Sequence, residues 1–168
     1  MSDGQDGRAN GRPPDGTRIT PEHDDLLLDV MLGKLATYLR MCGYDAVYAL
    51  DEGIEADDAV QRRAAADARR LLTRDRELAA STPGSILLTA RDVTDQLREL
   101  REAGVDLTLA ARPARCGACN GSVDSLPPDC DRPEYAPDEG PVWRCRDCGQ
   151  CFWKGSHWDD VAATLADL

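Results

Sequence analysis

Two Cys-x-x-Cys pairs, Cys116-Gly-Ala-Cys119 and Cys145-Arg-Asp-Cys148, constrain what the C-terminal third of this chain can fold into more than any other feature. Four thiolates presented as two close pairs make a tetrahedral soft-ligand site that zinc fills with no open coordination position. Asn120-Gly121 follows the first pair and Gly149 the second, the turn-formers a knuckle needs where its backbone curls around a metal. Disulfides fit less well, because they belong to oxidising compartments. Residues Met1 to Arg8 have neither the apolar run nor the basic start of a secretory signal. A redox motif would be a single pair opening a helix after a strand. Here 25 residues separate the pairs, with Pro127, Pro128, Pro133, Pro137 and Pro141 among them. The expectation is a structural zinc ribbon within residues 112–168, with the chemistry elsewhere. Cys42 reads as a small core residue, Cys130 and Cys151 as spare thiols or competitors for the metal, and His157 as a histidine off the zinc.

With 168 residues there is room for one core domain of ordinary size plus a metal-stapled appendage too small to bury a core by itself. No apolar run reaches membrane-spanning length, so a soluble protein with no membrane partner is expected, and its free cysteines point to the cytoplasm. The chain carries 31 Asp plus Glu against 20 Lys plus Arg, and Lys34 and Lys154 are its only lysines. Acidic, lysine-poor composition of this kind suits a cytoplasm at molar salt, where screening shortens to about 3 Å. A net charge of −11 argues against nucleic acid in general. The distribution weakens that objection, since residues 61–120 hold 11 bases and 8 acids.

Residues 1–23 are Gly, Pro, Asp and Arg with little that is apolar, which predicts a disordered leader. From Asp25 the pattern alternates. Leu26-Leu27-Leu28 reads as a buried strand and Leu32, Leu35, Ala36 and Leu39 as a helix ending at Gly43. Ala46 to Leu50 reads as a second strand, Asp57 or Asp58 to Ala68 as a helix, and Leu71-Leu72-Thr73 as a third strand. Ile86 to Thr89 reads as a fourth, and Val93 to Ala103 as a helix. Strands alternating with helices specify an α/β domain over residues 24–111 with a mainly parallel sheet.

In such sheets ligands sit beyond the carboxyl ends of the strands, and acids fall there: Asp29 after the first strand, Asp75 after the third, Asp92 after the fourth, and Asp57 and Asp58 at a helix start. Converging carboxylates repel unless a hard divalent cation, Mg²⁺ or Mn²⁺, lies between them. Among 23 aspartates any single one is more often a solvated charge or a helix cap, so it is the joint placement of Asp29 and Asp75 that points to a metal site.

The runs Leu28 to Asp45 and Leu71-Leu-Thr-Arg-Asp-Arg-Glu-Leu78, with Gln96-Leu97, the Cys pairs and Phe152-Trp-Lys-Gly-Ser-His-Trp158, resemble the Mut-7 C-terminal RNase domain, a PIN-like nuclease fold with a zinc ribbon. The resemblance covers residues 26 to 158. It implies a three-layer PIN-like domain, phosphodiester hydrolysis and RNA as partner, single-stranded or structured. It also implies Asp29, Asp57 and Asp75 as the acids holding Mg²⁺ or Mn²⁺, the spacing of 18 from Asp57 to Asp75 matching the PIN pattern, with Asp58 or Asp92 assisting from the rim. No clear counterpart of a further PIN glutamate appears at Glu52 or Glu55. Lys34, Arg40, Arg74 and Lys154 are the candidate phosphate contacts, although a solvated surface cation is the commoner case. Trp153 and Trp158 offer faces for bases, but tryptophans beside a ribbon more often pack it against its neighbour. His23 and His157 are poorly placed for a metal-free acid–base pair. A competing class is a non-catalytic RNA- or protein-binding zinc-ribbon module. A phosphoacceptor domain ranks last, because no lysine lies between Lys34 and Lys154.

Overall fold

Leu26, Leu27 and Leu28 are all fully buried, which a three-residue strand achieves only at the centre of a sheet covered on both faces. The computed structural model describes residues 18–168, and in it β1 (Leu26–Leu28) is that central strand. It pairs in parallel with β2 (Ala46–Tyr48) on one side and β3 (Arg70–Thr73) on the other, and β4 (Ile86–Leu87) completes a four-stranded parallel sheet of order β2-β1-β3-β4. The helices are α1 (Gly33–Met41), α2 (Asp57–Ala66), α3 (Arg76–Ser81) and α4 (Val93–Glu102), with a 3-10 turn at Ala49–Glu52. Alternation along β1 divides the core in two. Leu26 and Leu28, with Leu72, pack with Leu35 and Leu39 of α1 and Leu97 and Leu100 of α4. Leu27 and Leu71 pack with Val60 and Ala64 of α2 and Leu78 of α3. The result is the expected α/β domain in three layers.

The ribbon follows as an antiparallel sheet of β5 (Val123–Ser125), β6 (Trp143–Cys145) and β7 (Cys151–Phe152). It leads into α5 (Ser156–Ala166), a helix beyond those expected from the sequence. Leu165 and Leu168 pack against the same core cluster as α1 and α4, so the chain returns from the ribbon to the α/β core. The second strand is shorter than expected because the chain turns at Ala49 into the 3-10 segment, which Gly53 ends at φ 69°. The predicted fourth strand stops at Leu87.

The leader expected over residues 1–23 is ordered at its end. Ile19 pairs with Val105, donating to the Gly104 carbonyl at 2.8 Å and accepting from the Asp106 amide at 2.8 Å. The Tyr44 hydroxyl donates to the Ile19 carbonyl at 2.7 Å. Residues 1–17 lie outside the described residues. Cys42 is a core residue, and burial pushes its thiol up to about 12. Among the described residues no helix is long and apolar enough to cross a membrane.

The ribbon is fastened to the outer strand β2 through polar side chains. Asn120, left-handed at φ 68° just after the first Cys pair, accepts the Ala46 amide at 2.9 Å and donates to Asp45 Oδ1 at 2.7 Å. Arg69 donates to the same oxygen at 2.8 Å, and Arg115 lies 3.6 Å from Asp45 Oδ2. Burial opposes the charge on Asp45, but the bonds from Arg69 and Asn120 outweigh it and hold the carboxyl below its ordinary range. Arg40 is 3% exposed, and its guanidinium donates to the Ala46 carbonyl at 2.9 Å and the Gly117 carbonyl at 3.0 Å. Asn120→Ala should therefore cost about 1–3 kcal/mol, the penalty for leaving partly buried partners unsatisfied. Urea unfolding at constant zinc content measures it, and zinc stoichiometry should not change.

Candidate active site and metal centre

The connections leaving β1 and β3 run in opposite directions along the sheet, one to β2 and the other to β4, so the gap between these strands at their carboxyl ends is the switch point where α/β sheets place ligands. Asp29 continues the ladder there, its amide donating to the Leu72 carbonyl at 3.0 Å, and it is 8% exposed. Thr73, fully buried, donates its hydroxyl to Asp29 Oδ2 at 2.7 Å and accepts the Asp75 amide at 3.0 Å. The Val30 amide donates to Asp29 Oδ1 at 2.8 Å. Asp75 is the N-cap of α3, its Oδ1 accepting from the Leu78 amide at 2.9 Å. An ionised carboxylate has about four acceptor positions, so both groups keep lone pairs for a cation.

The loop beyond Asp29 is tightly determined. Met31 adopts φ 72° and is 80% exposed, while its amide donates to the Tyr48 hydroxyl at 3.2 Å. A Cβ on Gly33 would stand 3.0 Å from the Tyr48 ring, which explains glycine at the start of α1. Beside it Lys34 is exposed and in no ion pair among the described residues. Arg74, next to Thr73, is half-buried, and its Nε has no partner.

Other expected site residues have different surroundings. Asp57 is the exposed first residue of α2, at the same end of the sheet, but the N-cap is Ala56 and no side chain caps that helix. Neither Asp57 nor Asp58 is the cap that its position suggested. Asp58 is exposed and paired with Arg62 at 2.8 Å, an i,i+4 ion pair on the helix surface. Asp92 caps α4, accepting from the Thr94 amide at 2.9 Å and the Asp95 amide at 3.4 Å. Arg40, expected to meet phosphate, is spent inside on carbonyl oxygens. Lys154 is exposed and lies 5.5 Å from the Trp158 ring centroid in the ribbon segment. Among the described residues, no three carboxylates come close enough to hold a metal ion by themselves.

The four cysteines do come that close. The Sγ atoms of Cys116, Cys119, Cys145 and Cys148 all lie within 4.8 Å of one another. Cys116 to Cys148 is 3.6 Å and Cys119 to Cys145 is 3.5 Å. These distances are far longer than a disulfide and close to the edge of about 3.8 Å expected for sulfurs 2.3 Å from a tetrahedral zinc. The Gly121 amide points at Cys119 Sγ and the Asp147 amide at Cys145 Sγ, each at 3.4 Å. Burial raises the Cys116 thiol to about 12. At Cys145 burial acts the same way, but the Cys148 and Asp147 amides outweigh it and bring the thiol down to about 7. Zinc would be held by all four thiolates and leave no position for substrate, a structural role. His157 and Cys130 are exposed and outside this cluster, and Cys151 is buried outside it.

Two residues with roles near these elements, Thr73 and Glu99, are not among the site residues that the sequence pattern points to. The latter clamps the segment after β4, accepting the Thr89 amide at 3.0 Å and the Thr89 hydroxyl, while Gln96 donates to the Ala90 carbonyl at 3.0 Å. The available signal for Thr73 was its place on the strand: opposite Asp29, on the same face.

The knuckle geometry makes a prediction. A Cβ on Gly121 would lie 2.6 Å from Asp147 Oδ2 and 2.7 Å from Cys145 Sγ, whereas one on Gly117 would make an ordinary 3.5 Å contact with Thr37. Gly121→Ala should weaken zinc about 10- to 100-fold, as loss of supporting geometry around ligands does, and Gly117→Ala should leave it unchanged. Competition with a chromogenic chelator measures both.

The sequence model of the Mut7-C RNAse domain matches residues 24–165, covering the parallel sheet, the ribbon and most of α5. No curated protein and no solved structure gives a significant match. The domain supports a function of the ribonuclease type, with RNA as the substrate class. On that match, the chain belongs to the Mut7-C RNase domain family.

Proposed function

We propose that this protein is a metal-dependent, PIN-like ribonuclease that hydrolyses RNA phosphodiester bonds at the carboxyl end of the parallel sheet. The observation that carries this is the Asp29–Thr73–Asp75 chain of hydrogen bonds at the switch point, in a member of an RNase domain family. Mg²⁺ or Mn²⁺ suits this donor set, because such ions keep several waters and take only one or two protein carboxylates beside substrate phosphates. Asp29 and Asp75 would hold the ion, with Asp57 reaching in from the start of α2. When bound, the ion lowers the pKa of a water and offsets charge developing on the phosphate.

The protein's own groups divide the remaining work. The Thr73 hydroxyl holds the Asp29 carboxylate in one orientation, and its second bond fixes the turn that carries Asp75. Lys34 and Arg74, neither paired with an acid among the described residues, are the cations available to position a phosphate. The metal-binding thiols suit a reducing compartment such as the cytoplasm. The absence of a three-carboxylate cluster among the described residues favours a second reading, a ribbon module that binds RNA or protein without cleaving it.

Cleavage of RNA by zinc-loaded protein with Mn²⁺ decides between them. Asp29→Asn or Asp75→Asn should lower the rate about 100-fold or more. Thr73→Val should lower it about 10- to 100-fold, and Thr73→Ser should restore it. Asp58→Asn should stay near wild type. Wild-type cleavage by a folded Asp29→Asn, Asp75→Asn double variant would remove the nuclease proposal.

A further inference from the structure

A groove of about 500 Å³ opens between α1, the first zinc knuckle and the start of α5, on the ribbon side of the molecule. Clefts that take small ligands span about 300–1,000 Å³. Its walls include Met41, Ala118, Phe152, Trp153 and Trp158. No residue lining it is Asp or Glu, in a chain where 31 of 168 residues are. The cleft on the α2 side, by contrast, contains Asp24 and Asp25. Arg115 and His157 also line the acid-free groove. At Trp158 stands Lys154, which forms no ion pair among the described residues and lies 5.5 Å from the ring centroid.

The two tryptophans are not equivalent. Trp153 packs at 6.1 Å against Tyr135, and a Cβ on Gly155 would stand 2.7 Å from its Nε1, so it is a fixed wall. Trp158 is half-buried, and among the described residues it stacks on no other aromatic ring. One of the chain's two lysines lies over its ring, while the exposed Asp159 and Asp160 follow it along α5, outside the groove lining.

We propose that this groove binds single-stranded RNA, with one base stacked on Trp158 and the adjoining phosphate at Lys154, as a contact separate from the carboxyl end of the sheet. The choice of RNA rests on the ribonuclease reading, but binding here requires neither Mg²⁺ nor Mn²⁺. A protein of net charge −11 repels RNA over most of its surface, so contact is favoured where carboxylates are missing. An aromatic face beside a cation is the pairing that holds single strands with little regard to sequence. An acidic peptide would use Lys154 but has no need of the indole. Because Gly117 and Ala118 of the knuckle also line the groove, zinc helps to shape it.

The test is fluorescence anisotropy of a short labelled oligouridylate titrated with zinc-loaded protein in the absence of added Mg²⁺ or Mn²⁺. Trp158→Leu should weaken binding about 5- to 100-fold, the range set by one stacked base, and Trp158→Phe should retain most of the affinity. Lys154→Glu, at an exposed position where folding is not at stake, should weaken it at least as much as Lys154→Gln. Asp29→Asn should bind as wild type does. Trp158-dependent binding in a protein that never cleaves RNA would leave the groove standing and remove the nuclease reading. Cleavage with unchanged affinity in Lys154→Glu and in folded Trp158→Leu would remove the groove. Failure of wild type to bind the oligonucleotide, including the case in which an acidic peptide binds instead, would overturn the proposal.

Discussion

The parallel register that sets Leu28 opposite Leu72 places the next residue of each strand, Asp29 and Thr73, side by side on one face of the sheet. Without it neither acid at the carboxyl end has a fixed position. The hydroxyl of Thr73 has one proton to give and lone pairs to receive, and it uses both: the proton goes to Asp29 and a lone pair takes the Asp75 amide. Linked bonds of this kind polarise one another in a low-dielectric setting. One buried threonine thereby orients a carboxylate on β1 and the turn after β3. The same turn starts α3 through the Asp75 cap, so the acid does structural work as well as facing the opening.

The four-cysteine cluster joins the α/β domain at a distance from those acids. Just after its first Cys pair Asn120 is left-handed, and from there the amide side chain reaches both Asp45 and the backbone of β2. β2 is an outer strand, with backbone groups that would otherwise be open to another chain. Asn120, Arg40 and the knuckle carbonyl of Gly117 cover its start. Metal held by the four cysteines would couple the folding of the ribbon to the ion, and the cover on this edge with it.

The βαβ alternation, the buried triple leucine, the positions of Asp29 and Asp75 and the clustering of the four cysteines could all be read from the chain, because each depends on local pattern or on spacing. What could not be read depends on docking. Arg40 looks like a surface cation on a helix until Gly117 and Ala46 close over it. The bonds Asp92 and Asp58 make are likewise set by their helices, one capping α4 and one paired with Arg62. α3 is only six residues long and is held by its cap, leaving no periodicity to detect. α5 carries a helical signal, with Trp158, Val161 and Leu165 at helical spacing, but it overlaps the aromatic segment that follows the cysteines.

In the proposed mechanism the site has two fixed carboxylates and is completed by substrate phosphate, rather than being a ready-made cage. Mn²⁺ binding to zinc-loaded protein, followed by electron paramagnetic resonance with and without a cleavage-resistant oligonucleotide, tests that directly. Weak binding alone is expected, tightening about tenfold or more (at least 1.4 kcal/mol) when the oligonucleotide is present, with loss of that tightening in Asp29→Asn. Mn²⁺ binding that is equally tight without RNA, or tightening that survives in the Asp29→Asn, Asp75→Asn double variant, would contradict it.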